Sequence, residues 1–297
     1  MINIHIVGDG APLYSLKTIL EINQDMFKEE IQVTGFGDHY FNPVYVRKFS
    51  SSLTLEDVVR GANIVICTNP AYEDDNIVGL CNEFRIPFLC TFPLEEKPTN
   101  PSTIILDDIN LQYAATDMWI KRIINVNANV KEVKHFNGVT KLYETGDDAL
   151  PGLTMEEYHE ATDRVLGQPH LIKLQKKFFF ASEVEQWEED GINIQTNWIV
   201  DSDRVDASRV DWETETVFHT TIISKPPGSE TEVVKHSHLS VPSRRTLTSW
   251  HYLNSCVVGS FVYMWHKDFI PAQCTDYNLI DHGTFVDNHF GKIFRLA

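Results

Sequence analysis

Hydrophobic and polar positions follow one rhythm in the first part of this chain and another in the second. Ile2 to Val7 is an apolar run that breaks into Gly8-Asp9-Gly10, after which Leu13, Leu16, Ile19 and Leu20 recur at helical spacing. This predicts a strand over 2–7, a helix over 13–27 and a second strand over 31–36 ending at Gly37-Asp38. A short helix over 55–61 stops at its glycine. A strand over 63–68 turns at Asn69-Pro70, and Ile77, Leu80, Cys81 and Phe84 mark a helix over 75–84. A strand over 86–91, a Pro-rich connection, a strand over 104–106 and a helix over 111–125 follow. Strands alternating with helices of about ten residues imply a parallel sheet.

From there the order changes. A helix over 155–166 is capped by Thr154, with Glu156 and Glu157 in its first turn. Segments 178–180, 192–199 and 214–224 read as strands. Lys225 to Glu230 is a hairpin-type turn into a partner strand over 231–239, and a long apolar helix spans 247–266. Consecutive strands joined by polar turns indicate antiparallel pairing. The expected fold class is therefore α/β: a Rossmann-like parallel-sheet domain over 1–130, then an α+β domain with a mostly antiparallel sheet over 131–297. The 247–266 helix could pack back on the first domain.

At 297 residues, 42% hydrophobic and 23% charged, the chain has the composition of a globular protein. Its formal net charge of −17 argues against nucleic acid as a partner, because a phosphate backbone would be repelled over most of the surface. The five cysteines are odd in number and lack C-x-x-C spacing, which suggests a reducing compartment with neither a disulfide framework nor a zinc site. No basic leader precedes the first strand and no apolar run approaches the ~20 residues of a membrane span, so a cytoplasmic location is expected. The antiparallel sheet could serve a homo-oligomer interface.

The candidate chemistry begins at Gly8-Asp9-Gly10. A strand ending in glycines at a helix start lets backbone approach a pyrophosphate, with the helix N-terminus supplying partial positive charge. Leu13 stands where the third glycine of G-x-G-x-x-G belongs, and Pro12 suits a first turn. Asp38, thirty residues past Gly8, is placed to hydrogen-bond an adenosine ribose, or is an ordinary loop carboxylate. Thr68-Asn69-Pro70 ends a strand at the ligand-binding edge of the sheet, as a cofactor-facing or a purely structural turn.

In the second half, His236-Ser237-His238 closes a strand and offers imidazoles for acid/base work, or is a solvated hairpin. Arg244 and Arg245 at a helix mouth oppose the dipole, which makes them candidates for holding a carboxylate or phosphate. Asp281-His282 and Asp287-Asn288-His289 pair carboxylate with imidazole, but no third ligand falls at metal spacing and no metal is expected. G-x-S-x-G and a P-loop lysine are both missing, so the serine-hydrolase and P-loop readings lack their key residues.

Ile4 to Gly10, Gly61 to Pro70 and Gly79 to Thr91 together resemble the cofactor domain of the saccharopine dehydrogenase and dihydrodipicolinate reductase groups. The resemblance implies a two-domain oxidoreductase using NAD or NADP on a small carboxylated substrate of the amino acid or imine type. Lys235 to His238 with Pro242 to Thr246 is similar to the reductase group's histidine-rich strand end and P-S-G-T helix start. That likeness implies His238 or Lys235 as proton donor and Ser243 and Thr246 as carboxylate binders, with Arg244 in the glycine's place and Leu239 in that of a lysine. Asp38, Arg47 and the Ala62 to Cys67 strand are also similar to the ATP site of enzymes that adenylate ubiquitin-like proteins. A Rossmann-like binding or scaffold module without catalysis is the reading from another class, since fold does not dictate function.

Overall fold

The computed structural model describes residues 1–37, 46–73, 75–127, 129–141, 171–175, 190–201, 214–225, 227–242 and 249–295. Asp38, Ser243, Arg244 and Thr246 lie outside them, as do the expected helix over 155–166, the strand over 178–180 and nearly all of the acidic run from Glu183 to Asp190.

The chain divides into two compact units, one formed by Met1–Met118 with His251–Arg295 and the other by Trp119–Trp250. The sequence pattern draws its boundary near residue 130, with the helix over 247–266 as the late segment expected to return to the first domain.

In the first unit the strands are β1 (Ile2–Val7), β2 (Ile31–Phe36), β3 (Val46–Arg47), β4 (Ile64–Cys67), β5 (Phe88–Cys90) and β6 (Ile105–Leu106). They form one parallel sheet in the order β3-β2-β1-β4-β5-β6. The chain winds outward from β1 to β3, then restarts at β4 on β1's other side. That reversal creates a topological switch point between β1 and β4, where open α/β sheets bind ligands beyond the strands' carboxyl ends. Helices α1 (Gly10–Ile22), α2 (Leu55–Arg60) and α3 (Ile77–Phe84) connect the strands.

Every residue of β4 is buried, as expected of a central strand covered on both faces. Val7, Phe36, Val58, Cys67, Tyr72, Cys81 and Phe88 form one core cluster on the face covered by α2 and α3. Strand alternation sends Ile4 and Ile6, both fully buried, to the other face. Helix α1 contributes Leu13, Leu16 and Leu20 to the core. Each such side chain contributes about 1.5–3 kcal/mol by leaving water. Thr54 and Asp57 close a capping box on α2, which fixes where that short helix starts.

The helix expected over 111–125 is present as a π-wound turn, Leu111–Ala115, leading into α4 (Thr116–Val126). The second unit is built on β7 (Val130–Lys141), β8 (Leu171–Gln175), β9 (Asn193–Asp201), β10 (Thr214–Ser224) and β11 (Val233–Pro242), ordered β11-β10-β7-β9-β8. Only the β7–β9 pairing is parallel, so the sheet is mostly antiparallel. Helix α5 (Ser249–His266) and the short α6 (His282–Asp287) follow, and from His251 to Arg295 the chain belongs to the first unit. Among the described residues, no helix is long and apolar enough to cross a membrane.

Candidate functional site

At the carboxyl edge of the parallel sheet, each strand's exit is tied to its neighbour. Gly8 N–H donates to Phe36 O at 2.9 Å, Thr68 N–H to Val7 O at 2.9 Å, and Gly37 N–H to Arg47 O at 3.1 Å. The turn from β1 into α1 therefore sits on a rigid edge rather than on a wandering loop.

Three glycines shape it, and only two belong to the sequence motif. Gly10, the first residue of α1, has φ +65°, a left-handed conformation that favours glycine. Among the described residues a Cβ there would meet only Pro12 Cδ, at 4.0 Å, so within them this side of the turn is open to an approaching group. Gly8 is closed by contrast: a Cβ would lie 2.0 Å from Thr68 Oγ1, so the space of its missing side chain is filled by the end of β4. The third is Gly37, just past β2, where a Cβ would stand 2.2 Å from Gly8 O and 2.7 Å from Asp9 Oδ1. No motif marks Gly37; its need to be glycine arises from a turn nearly thirty residues earlier. Leu13, at the third motif position, is fully buried and fills the core.

Asp9 is the N-cap of α1 in extended conformation but makes no side-chain cap bond. Pro12 occupies the third helical position and has no N–H to offer such a cap. The carboxylate turns instead to Asn69, whose Nδ2 donates to Asp9 Oδ2 at 2.8 Å. Asn69 Oδ1 in turn accepts from Ala71 N–H at 3.0 Å, which caps the 3-10 turn Pro70–Tyr72 and fixes the amide's orientation. Asn69 is thus a positioning residue that joins the β1–α1 and β4 exits. Thr68 Oγ1 is buried and has no hydrogen-bond partner among the described residues. An orphaned hydroxyl beside an open helix N-terminus fits an oxygen-rich anionic group such as a pyrophosphate.

Cys67 and Cys90 are register partners at the ends of β4 and β5. Burial pushes the Cys67 thiol up to about 12, against a smaller pull from its bond to Asn69 O, and it raises Cys90 as well. At neutral pH these are packed thiols and not nucleophiles.

In the second unit, β10 and β11 pair His219 with His238, Thr221 with His236 and Ile222 with Lys235. Alternation puts Lys235 and His236, adjacent in β11, on opposite faces of the strand. His236 is exposed, with Nδ1 3.2 Å from Thr221 Oγ1. Lys235 Nζ donates to Asn127 Oδ1 at 2.9 Å. On the buried face Trp119 Nε1 donates to Thr220 Oγ1 at 2.7 Å, and His135 Nδ1 lies 2.9 Å from the same hydroxyl. His135 belongs to no motif, and only the pairing of β7 with β10 brings it to Thr220. The carboxylate–imidazole pairs near the C-terminus do structural work. Asp281 caps α6 through Thr284 N–H at 2.7 Å, and His289 Nε2 lies 2.8 Å from Asn23 Oδ1.

No family model matches the chain, and no curated protein matches its sequence. Its structure is similar to apo saccharopine dehydrogenase (L-Glu forming) from Saccharomyces cerevisiae, with a TM-score of 0.64 at 8% identity over 96% of both chains. The fold is that of saccharopine dehydrogenase. An engineered D-amino acid dehydrogenase solved with NADP+ is also similar, with a TM-score of 0.50 at 11% identity over 98% of both chains. The saccharopine dehydrogenase fold extends over nearly the whole chain, so the likeness includes the second unit as well as the parallel sheet.

Proposed function

We propose that the protein is an NAD(P)-dependent oxidoreductase acting on a small carboxylated substrate of the amino acid or imine type. The observation that carries this reading is the open Gly10 side of a β1–α1 turn located at the switch point of the sheet. The fold shared with a saccharopine dehydrogenase and with an amino acid dehydrogenase solved with NADP+ supports it. A bound nicotinamide would supply hydride chemistry, and the protein binding and orientation. The α1 N-terminus and the Thr68 hydroxyl would hold the pyrophosphate, with Asn69 fixing the turn and Asp38 offered to the ribose. His238 or Lys235 is the proposed proton donor, with His236 as a further acid/base candidate on the same strand. Ser243, Arg244 and Thr246 are the proposed carboxylate binders.

Titration with NADH and NADPH, read by nicotinamide fluorescence and by melting temperature, tests the proposal. A saturable change with at least one of them is expected, and no change with either at millimolar concentration refutes it. A second reading, a Rossmann-like module that binds without catalysis, is favoured by Leu13 filling the core at the third motif position. It predicts no turnover of any amino or imino acid under conditions where a dinucleotide binds.

A further inference from the structure

We propose that the outer edge of β11 takes up an extended, acidic segment of a partner protein as an added strand of the second sheet. The edge belongs wholly to the second unit and makes no use of a dinucleotide.

β11 ends the order β11-β10-β7-β9-β8, so one of its two edges has no strand beside it. It is ten residues long, Val233–Pro242, and pairs with β10 at every one of them without a bulge. The β10–β7 ladder, by contrast, shifts register at Ile223/Ser224. Residues 233–236 are all exposed, Val233 at 38% and Val234 at 51%. Consecutive side chains of a strand point to opposite faces, so neither face of this end is covered. Natural sheets blunt such an edge with a short strand, a bulge, a proline or an outstretched lysine. Here the only proline is the last residue, Pro242, and Lys235 is drawn onto Asn127 Oδ1 at 2.9 Å. Every second residue of an edge strand turns its N–H and C=O outward, and an extended peptide binds by completing those bonds.

Charge decides the kind of segment. The chain carries a formal net charge of −17, yet β11 has no carboxylate from Val233 to Pro242 and contains Lys235 and two histidines. Glu232, just before it, is paired with Lys131 at 3.0 Å. The Lys235 ammonium meets a neutral amide, and no carboxylate lies within ion-pair reach of it among the described residues. A second copy of the chain fits less well, because two bodies of charge −17 repel and β11 set against β11 brings Lys235 no acid. A segment alternating apolar and acidic side chains sets carboxylates beside Lys235 on one face and apolar groups beside Val234 on the other.

The test uses the full chain and labelled synthetic peptides, read by fluorescence anisotropy. One alternates valine with glutamate, one alternates valine with lysine, and one is the acidic peptide interrupted by prolines, which cannot continue a ladder. The acidic peptide is expected to bind at least tenfold more tightly than the other two, to weaken as salt is raised, and to slow amide exchange within residues 233–237. Neighbouring N–H groups of an antiparallel strand face opposite edges. Of Val233→Pro and Val234→Pro, one should therefore lower the melting temperature, and the other should leave it unchanged and abolish binding. Val234→Glu, at an exposed position, is the second variant and should weaken the acidic peptide at least fivefold at an unchanged melting temperature. Equal binding of the lysine peptide, or no binding of any of the peptides, overturns the proposal. So does binding that survives both Val234→Glu and the proline that spares the melting temperature. A dimer in light scattering that Val234→Glu dissociates assigns the edge to a second copy and overturns the proposal as well. None of these outcomes bears on dinucleotide binding by the first unit.

Discussion

Gly8→Ala should destabilise the first unit through one identifiable obstacle. The new methyl carbon would lie 2.0 Å from Thr68 Oγ1 and 3.2 Å from Thr68 Cβ, where ordinary contact is about 3.5 Å. Thr68 must turn about its χ1, which is stiff in a β-branched residue, and its Cβ stays crowded afterwards. Overpacking of this kind costs about 1–3 kcal/mol, or roughly 2–4 °C of melting temperature per kcal/mol for a unit of this size. Removing the hydroxyl alone should change little, because it has no partner among the described residues. Urea unfolding of Gly8→Ala, Thr68→Ala and the double variant closes the cycle. The double variant is expected to regain about 1 kcal/mol or more relative to the sum of the singles. Additivity within about 0.5 kcal/mol would show that Thr68 is not the obstacle. Gly37→Ala makes the control, since its Cβ would meet the Gly8 carbonyl at 2.2 Å and no side-chain truncation can relieve a clash with backbone.

Tyr277→Phe removes the hydroxyl that donates to Asp117 Oδ2 at 2.6 Å in a fully buried setting, and should cost about 1–3 kcal/mol in urea unfolding; an unchanged midpoint would contradict that. All five cysteines are buried and free, and burial raises each thiol, so the native protein should resist a thiol reagent at pH 8 until urea is added. Rapid labelling of the folded protein would refute the packing described here. Burial lowers the His5 pKa, outweighing its bond to Val58 O at 2.7 Å, and the charge of Arg47 lowers it further. The unfolded chain then binds a proton that the folded chain does not, so stability is level above about pH 6.5 and falls as the pH drops below it. His251, His266 and His289 are lowered too and act in the same direction. Urea midpoints at pH 7.5 and 5.5 should differ, and His5→Gln should narrow the gap; equal gaps in both proteins would exclude His5 as a contributor.

Much of the parallel sheet was legible in the chain because its signals are local. The strands predicted over 2–7 and 31–36 coincide with β1 and β2, since an apolar run between turn residues carries its own boundaries. The helix predicted over 13–27 is observed as Gly10–Ile22: helical spacing begins at Leu13 while the helix itself begins at Gly10, and it ends five residues before Phe27. β3 and β8 are short or lie in mixed sequence, and β7 mixes charged and apolar positions without clean alternation, so none of the three announced itself. The placement of Lys235 and His236 on opposite faces of β11 follows from strand alternation alone.

By itself the sequence determined where chain can turn and which stretches must be buried: glycines after β1, apolar runs for β4 and β5, polar turns between the later strands. These are short-range consequences of backbone freedom and transfer from water. Only the tertiary structure decided which distant residues share a point in space. It set Asn69 against Asp9 across sixty residues, made Gly37 obligatory through a turn it never neighbours in sequence, and left Gly10 open while closing Gly8. The physical reason is the sheet order, because parallel pairing of β2, β1 and β4 gathers three strand ends at one edge, and nothing in the local sequence of any one of them records the others.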